Sequence, residues 1–189
     1  MNYLAHAFLS RSHEELQVGN FIADHMHGMK IETFSGKVKE GILLHRRIDS
    51  FTDSHPLFKK SKRIFYNGFE KYSGVLVDIY FDYFLAKNFS EYSEISLQEF
   101  STKTFLIYKK HEKIFPTSAS RFLEYVIKNN IYVSYSDIKG IETVLSHLSH
   151  RIKHEVKLNE SVTLFQENEK QLFSNFQIFS REIRDSLNL

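Results

Sequence analysis

The sequence predicts an all-α fold, a single compact multi-helix domain over residues 1–189, and three observations predict it. Only two prolines and seven glycines interrupt 189 residues, so few positions force a helix to break. Apolar residues recur at intervals of three and four over long stretches, the period of a helix with one buried face. There is no cysteine, so no disulfide or zinc–thiolate site holds a loop-rich framework together. A chain this long buries enough apolar surface to fold without such staples. A net charge of +2 does not require a nucleic-acid partner. No apolar run approaches the ~18 residues of a membrane span, and the N-terminus lacks the apolar core of a signal peptide. The expectation is a cytoplasmic protein that binds neither membrane nor nucleic acid.

Taken in order, residues 1–10 read as a short amphipathic helix. Its apolar face is Leu4, Ala5, Phe8 and Leu9, and Asn2 and His6 share another side. Ser12 and Glu15 spell a capping box for a helix bearing Leu16, Val18, Phe21, Ile22 and Met26, with Asp24 among small and apolar neighbours. Gly28, Ser35 and Gly36 mark a connection. A helix from about Lys37 to Phe51 follows. Asp53 or Ser54 is the expected cap of the next helix, which has Pro56 near its first turn and stops before an Asn67-Gly68 turn. The segment Ser73 to Ala86 is apolar or aromatic at nearly every position except Asp78 and Asp82. Further helices are expected over 97–113, 119–128 and 137–153, the last capped by Asp137, and from about Asn159 to Leu187. Ile131-Tyr132-Val133 is too short to assign. His147, His150 and His154 follow at spacings of three and four. With no carboxylate to complete a ligand set, they read as a solvated face.

Chemistry gathers in the first half. The stretch Gly41 to Pro56 opens apolar, then brings His45, Arg46, Arg47, Asp49, Asp53 and His55 together. On a helix His45 and Asp49 share one face, so imidazole and carboxylate meet as two parts of a metal site. Arg46 and Arg47 can hold phosphate oxygens bidentately. The same stretch also reads as a surface helix laced with salt bridges. Asp78 and Asp82 likewise share a face. A buried unpaired carboxylate costs several kcal/mol, and two neighbours repel. The pair therefore requires a cation, either a metal or one of the two arginines.

His6, Asp24, His45, Asp49, Asp78 and Asp82 together suit a hard or borderline divalent ion such as Mn²⁺, Mg²⁺ or Fe²⁺ better than a thiophilic one. Such an ion polarises a phosphoryl oxygen and acidifies water, while arginines take the developing charge. The chain has no Gly-rich phosphate loop, no Gly-x-Ser-x-Gly elbow and no nucleotide fingerprint. These residues point to a helical, metal-dependent phosphoester hydrolase. Basic clusters at Lys59, Lys60, Lys62 and Arg63, and at Lys103, Lys109, Lys110 and Lys113, read either as solvated helix faces or as a docking surface for something acidic.

Four segments in register resemble one family. Asn2-Tyr3-Leu4-Ala5-His6, Gly19 to Asp24, Gly41 to Pro56 and Asp78-Ile79-Tyr80-Phe81-Asp82 are similar to the acyl carrier protein phosphodiesterases. Beyond residue 86 the similarity lies mostly in helical pattern, with Ser149-His150-Arg151 similar to a basic element there. The resemblance implies a divergent relative of the HD-domain phosphohydrolase fold that uses Mn²⁺. It implies cleavage of the phosphodiester joining 4'-phosphopantetheine to a serine of holo-acyl carrier protein, releasing apo-carrier and 4'-phosphopantetheine. It implies Asp24, His45, Asp49, Asp78 and Asp82 as metal-site residues, with His6 beside them. Arg46, Arg47 and Arg151 would hold the phosphate, and His6 or His45 would assist proton transfer. The acidic carrier gives Lys59 and Lys60 a partner. No His-Asp dipeptide occurs, so His45 and Asp49 stand in for that signature, and Tyr83 stands where many relatives carry histidine. Two other readings fit the residues. One is a phosphohydrolase acting on a nucleotide or other small phosphoester. The other is a non-catalytic helical binding module whose acids are salt-bridged by Arg46 and Arg47.

Overall fold

The computed structural model describes residues 2–152 and 156–189; Lys153 and His154, expected near the end of a helix, lie outside them. Among the described residues every regular element is helical, as expected. The first helices are α1 (Tyr3–Leu9), α2 (Glu14–Ile22), α3 (Gly36–Ser54) and α4 (Pro56–Phe69). They are followed by α5 (Ser73–Lys87), α6 (Leu97–His111), α7 (Thr117–Lys128) and the one-turn α8 (Ile131–Ser134). The last two are α9 (Ile138–Arg151) and α10 (Ser161–Ser186). None of them is long and apolar enough to cross a membrane.

Several boundaries differ from the sequence expectation. The cap of α2 is His13, whose Nδ1 accepts from the Glu15 amide at 3.2 Å, and not Ser12. The cap of α4 is His55, and neither Asp53 nor Ser54, which remain inside α3. His55 Nδ1 accepts from the Leu57 amide at 3.2 Å, which leaves the ring proton on Nε2 to donate to Glu182 on α10 at 2.8 Å. A bare imidazole nitrogen thus does the work of the usual hydroxyl or carboxylate cap. Asn67-Gly68 is helical, and α4 ends instead at Glu70, held at φ 36°. Asp137 caps α9 as expected, accepting from the Lys139 amide at 3.0 Å.

Helix α5 is apolar nearly all round, so it can only be a central helix. It packs against α1, α4, α9 and α10. Tyr80 on it lies flat between Phe65 of α4 and Phe165 of α10, with ring centroids 5.3 and 4.2 Å away. Its hydroxyl meets Ser161 Oγ at 2.6 Å. A smaller cluster forms where α2, α3, α6 and α7 meet around Val18, Phe21, Ile42, Tyr108 and Leu123. Phe105 and Phe122 touch both clusters.

Two backbone features set the positions of the site residues. Helices α2 and α3 touch backbone to backbone at Gly19 and Gly41, where a Cβ on either residue would overlap a carbonyl oxygen of the other helix. Asn20 follows Gly19, and His45 lies one turn beyond Gly41. The second feature is Asp82, fully buried on α5, whose two oxygens accept the Leu4 and Ala5 amides at 2.8 and 3.2 Å. It caps α1 from a distant helix. Burial raises its carboxyl to about 7, against the pull of those two amides. Asp82→Ala is expected to destabilise the protein by ~2–4 kcal/mol, through a lost cap and the void left behind. A urea melt measures it, and a loss below ~0.5 kcal/mol would contradict this role.

Candidate metal centre

Three segments supply the centre. His6 comes from α1, Asn20 from α2 and Asp24 from the turn that follows, and His45 and Asp49 come from one face of α3. His6 Nε2 lies 3.1 Å from one oxygen of Asp49, and His45 Nε2 lies 3.1 Å from the other. His45 Nε2 is also 3.0 Å from Asp24 Oδ1. The two imidazoles stack, with centroids 4.2 Å apart. Behind them the buried Asn20 Oδ1 accepts from Nδ1 of His6 at 2.9 Å and from Nδ1 of His45 at 3.0 Å. One amide oxygen has two lone pairs and takes both donors. That fixes the ring proton on Nδ1 of each histidine and turns each Nε2 toward the carboxylates. This is the tautomer in which imidazole ligates a metal while its other nitrogen is anchored.

The donor set fits a divalent ion. Ligand atoms of His6, His45 and Asp49 all lie within 4.8 Å of one another. Two imidazoles and a carboxylate, with no thiolate, suit Mn²⁺, Fe²⁺ or Zn²⁺ by chemistry, with Asp24 beside them. Free of an ion, the cluster holds a proton instead. Burial disfavours charge on His45, but hydrogen bonds to Asp24 and Asp49 outweigh it and raise the ring to about 9. Burial lowers His6. Burial opposes charge on Asp49 too, yet hydrogen bonds from His45 and His6 hold its carboxyl well below the usual range.

A bound metal would displace that proton, so the ion-free protein carries a pH signature of its own. The folded value of His45, about 9, exceeds the ~6.5 of an unfolded imidazole. Its stabilisation is therefore complete below about pH 6.5 and is lost as pH rises through about 9. In chelator, the thermal midpoint is expected to fall over that window; a midpoint that stays flat or rises would contradict the assignment.

The cluster forms one wall of a cavity of 340 Å³, lined also by Tyr3, Asp53, Val75 and Asp78. A family model described as acyl carrier protein phosphodiesterase matches residues 1–183. The chain belongs to the acyl carrier protein phosphodiesterase family. A relative of that name from Escherichia coli strain CFT073 is 32% identical over 157 residues, covering 80% of this chain and 79% of its own. Another, from Escherichia coli strain HS, is 31% identical over 156 residues with the same coverage. No solved structure matches the chain.

The residues expected at a family site divide into two groups. His6, Asp24, His45 and Asp49 come together, and Asp78 lines the same cavity. Asp82 does not: its oxygens are turned to the start of α1. Its hydrogen-bond partners among the described residues are the two backbone amides, so the start of α1 offsets its burial. Arg46 and Arg47 are exposed and line no part of the cavity. Each helix residue advances the side-chain direction by roughly 100°, so the face that points His45 inward turns both arginines away. Arg47 instead donates to the Ser186 carbonyl at 3.5 Å. Lys59 and Lys60 are exposed on α4, outside the cavity. Lys62 of the same helix lies over Gly74, beside the cavity residue Val75. Arg151 lies close enough to Tyr3 to act on its hydroxyl. Tyr83 is buried away from the cavity, its hydroxyl accepting from Lys87 Nζ at 2.7 Å, so the departure from histidine there does not touch the centre.

Two residues had no role in the sequence reading. Asn20 holds both imidazoles, and its one signal is its place in the Gly19–Asp24 segment. Tyr3 lines the cavity, and burial, aided by the charge of Asp24, raises its hydroxyl to about 12. It stays protonated at neutral pH, as a hydrogen-bond donor.

Proposed function

We propose that this chain is a metal-dependent phosphodiesterase that hydrolyses holo-acyl carrier protein at the phosphate of its prosthetic group. The observation that carries the reading is the convergence of two Nδ1-anchored imidazoles on Asp49. His6, His45 and Asp49 would hold the ion, with Asp24 beside them, and the ligand chemistry together with the resemblance favours Mn²⁺ over Mg²⁺ or Fe²⁺. When bound, such an ion polarises a phosphoryl oxygen and acidifies water.

The remaining roles fall to the chain itself. Asn20 keeps both rings in the ligating tautomer. Tyr3 donates a hydrogen bond toward a phosphoryl oxygen. Arg151, near Tyr3, takes negative charge in place of Arg46 and Arg47. Asp24, half exposed at the mouth, accepts the proton released by the attacking water. The new bond joins water oxygen to phosphorus, the phosphorus–oxygen bond to serine breaks, and the serine oxygen takes up a proton. With holo-carrier and Mn²⁺, Asp24→Ala is expected to turn over at least ~100-fold more slowly than the wild type while keeping its fold. A fully active, folded variant would contradict the scheme.

The basic surface is narrowed by its pairing. Lys103, Lys109 and Lys110 are bound to Glu99, Glu112 and Glu14 at 2.8, 2.9 and 2.6 Å. Lys59 and Lys60 have no carboxylate partner among the described residues, which favours α4 as the face for an acidic carrier. Exchanging both for glutamate is expected to raise KM for holo-carrier about 10-fold, with little change in kcat. An unchanged KM would remove α4 from the docking face. A cytoplasmic setting completes the proposal, resting on the cysteine-free composition.

A further inference from the structure

A second, larger cavity adjoins the first. Its volume is 790 Å³, within the ~300–1,000 Å³ span of small-molecule sites. Asn2, Tyr3, Asp24 and Val75 belong to both cavities. The second is a groove between α7 and α9, floored by α5. Phe122 and Tyr125 from one side, Val144 and Leu148 from the other, and Ile79 beneath supply its apolar wall. Polar groups interrupt that wall. Tyr125 Oη and His147 Nδ1 meet there at 3.0 Å. His25 Nε2 is buried against the groove with no hydrogen-bond partner among the described residues. Arg121 and Arg151 are exposed along it. None of the groove groups beyond the shared wall and Arg151 has a part in the hydrolysis described above.

We infer that this groove receives the pantetheine arm of the substrate. The phosphodiester then spans the junction of the two cavities, with its arm toward α7 and α9 and the carrier protein on the α4 side. The inference rests on the phosphodiesterase reading and gives the substrate a direction within it. Continuity is the first argument. A diester has two substituents, and the phosphorus site needs an exit for each; the shared wall makes the groove one of them. Chemistry is the second. The arm is long and thin, carries no charge beyond its phosphate, and runs from one dimethyl-bearing carbon and a hydroxyl through two amides spaced by methylene pairs to a thiol. It matches a wall of rings and branched aliphatics interrupted by hydroxyl and imidazole groups, including an imidazole nitrogen with a bond still to make. Arg151, at the phosphorus end beside Tyr3, meets the phosphate that the arm retains after cleavage. Charge is the third. A folded carrier is too large for the groove, and Lys59 and Lys60, without a carboxylate partner among the described residues, lie on α4, whose Lys62 lies over Gly74, next to the shared-wall residue Val75.

Two substitutions narrow the groove from opposite walls: Ser118→Trp, at the exposed start of α7, and Val144→Trp on α9. Each is compared with the wild type on holo-acyl carrier protein and on bis(4-nitrophenyl) phosphate, a diester without the arm, after circular dichroism has shown it folded. The ratio of the two kcat/KM values is expected to fall at least ~10-fold in each variant. Free pantetheine is expected to compete with holo-carrier on the wild type and to lose that effect on the variants. If the wild type cleaves the carrier and a folded variant keeps the wild-type ratio, the groove assignment is overturned while the phosphodiesterase reading stands. If the wild type leaves the carrier intact, the reading itself falls, and the groove assignment with it.

Discussion

Asp49→Asn is expected to lower turnover on the order of 1,000-fold while leaving a folded protein. Each oxygen of Asp49 faces one imidazole, at 3.1 Å in both cases. An amide keeps one oxygen, replaces the other with a donor group, and removes the negative charge that a divalent ion requires. The side chain is 44% exposed, so the exchange leaves no buried void. Two measurements check it together: kcat on holo-carrier, and the rise in thermal midpoint when Mn²⁺ is added. In the variant kcat is expected to fall on the order of 1,000-fold and the Mn²⁺-dependent rise to be lost. A variant that keeps the Mn²⁺-dependent rise would show that the ion sits elsewhere.

Gly41→Ala is expected to cost the fold ~3–5 kcal/mol, enough to unfold most small domains at modest temperature. The added methyl would meet the Leu16 carbonyl oxygen and the Asn20 amide, which are backbone atoms that cannot rotate away. Relief requires α2 and α3 to separate, and that separation pulls Asn20 off the two histidines. Gly68→Ala is the control. Gly68 lies inside α4 with nothing within 4 Å of an added Cβ, so the change is expected to be neutral or stabilising by ~0.5–1 kcal/mol. Urea melts of the two variants measure the difference. Equal stabilities would mean that the α2–α3 contact is not close.

The helices were legible in the sequence because burial imposes a period. The apolar run from Ser73 to Ala86 marked a helix with two acidic residues on one face, its central place emerging only in the fold, and the spacing of His45 and Asp49 put both on one face. What faced them was not legible. Asp82 resembles a ligand when only its helix is in view. Its partners are the amides of Leu4 and Ala5, some eighty positions earlier, and no local pattern announces them. Arg46 and Arg47 follow His45 in the chain but point elsewhere on the same turn, and in the fold they lie outside the cavity. The caps at His13 and His55 escaped because imidazole is not among the preferred capping groups, although a ring with a bare Nδ1 accepts an amide as well as a hydroxyl does. Asn20 carries no charge and matches no metal-ligand spacing. Its role follows only from lying behind both rings.

On the proposed function, this centre, once metallated, removes the prosthetic group from an acyl carrier protein. The most direct test incubates purified protein with holo-acyl carrier protein and Mn²⁺, with and without EDTA, and reads the carrier by intact mass. The expected result is loss of the phosphopantetheine mass with Mn²⁺ and none with EDTA. An unchanged carrier mass with Mn²⁺, Mg²⁺ and Fe²⁺ alike, or cleavage that persists in EDTA, would contradict it.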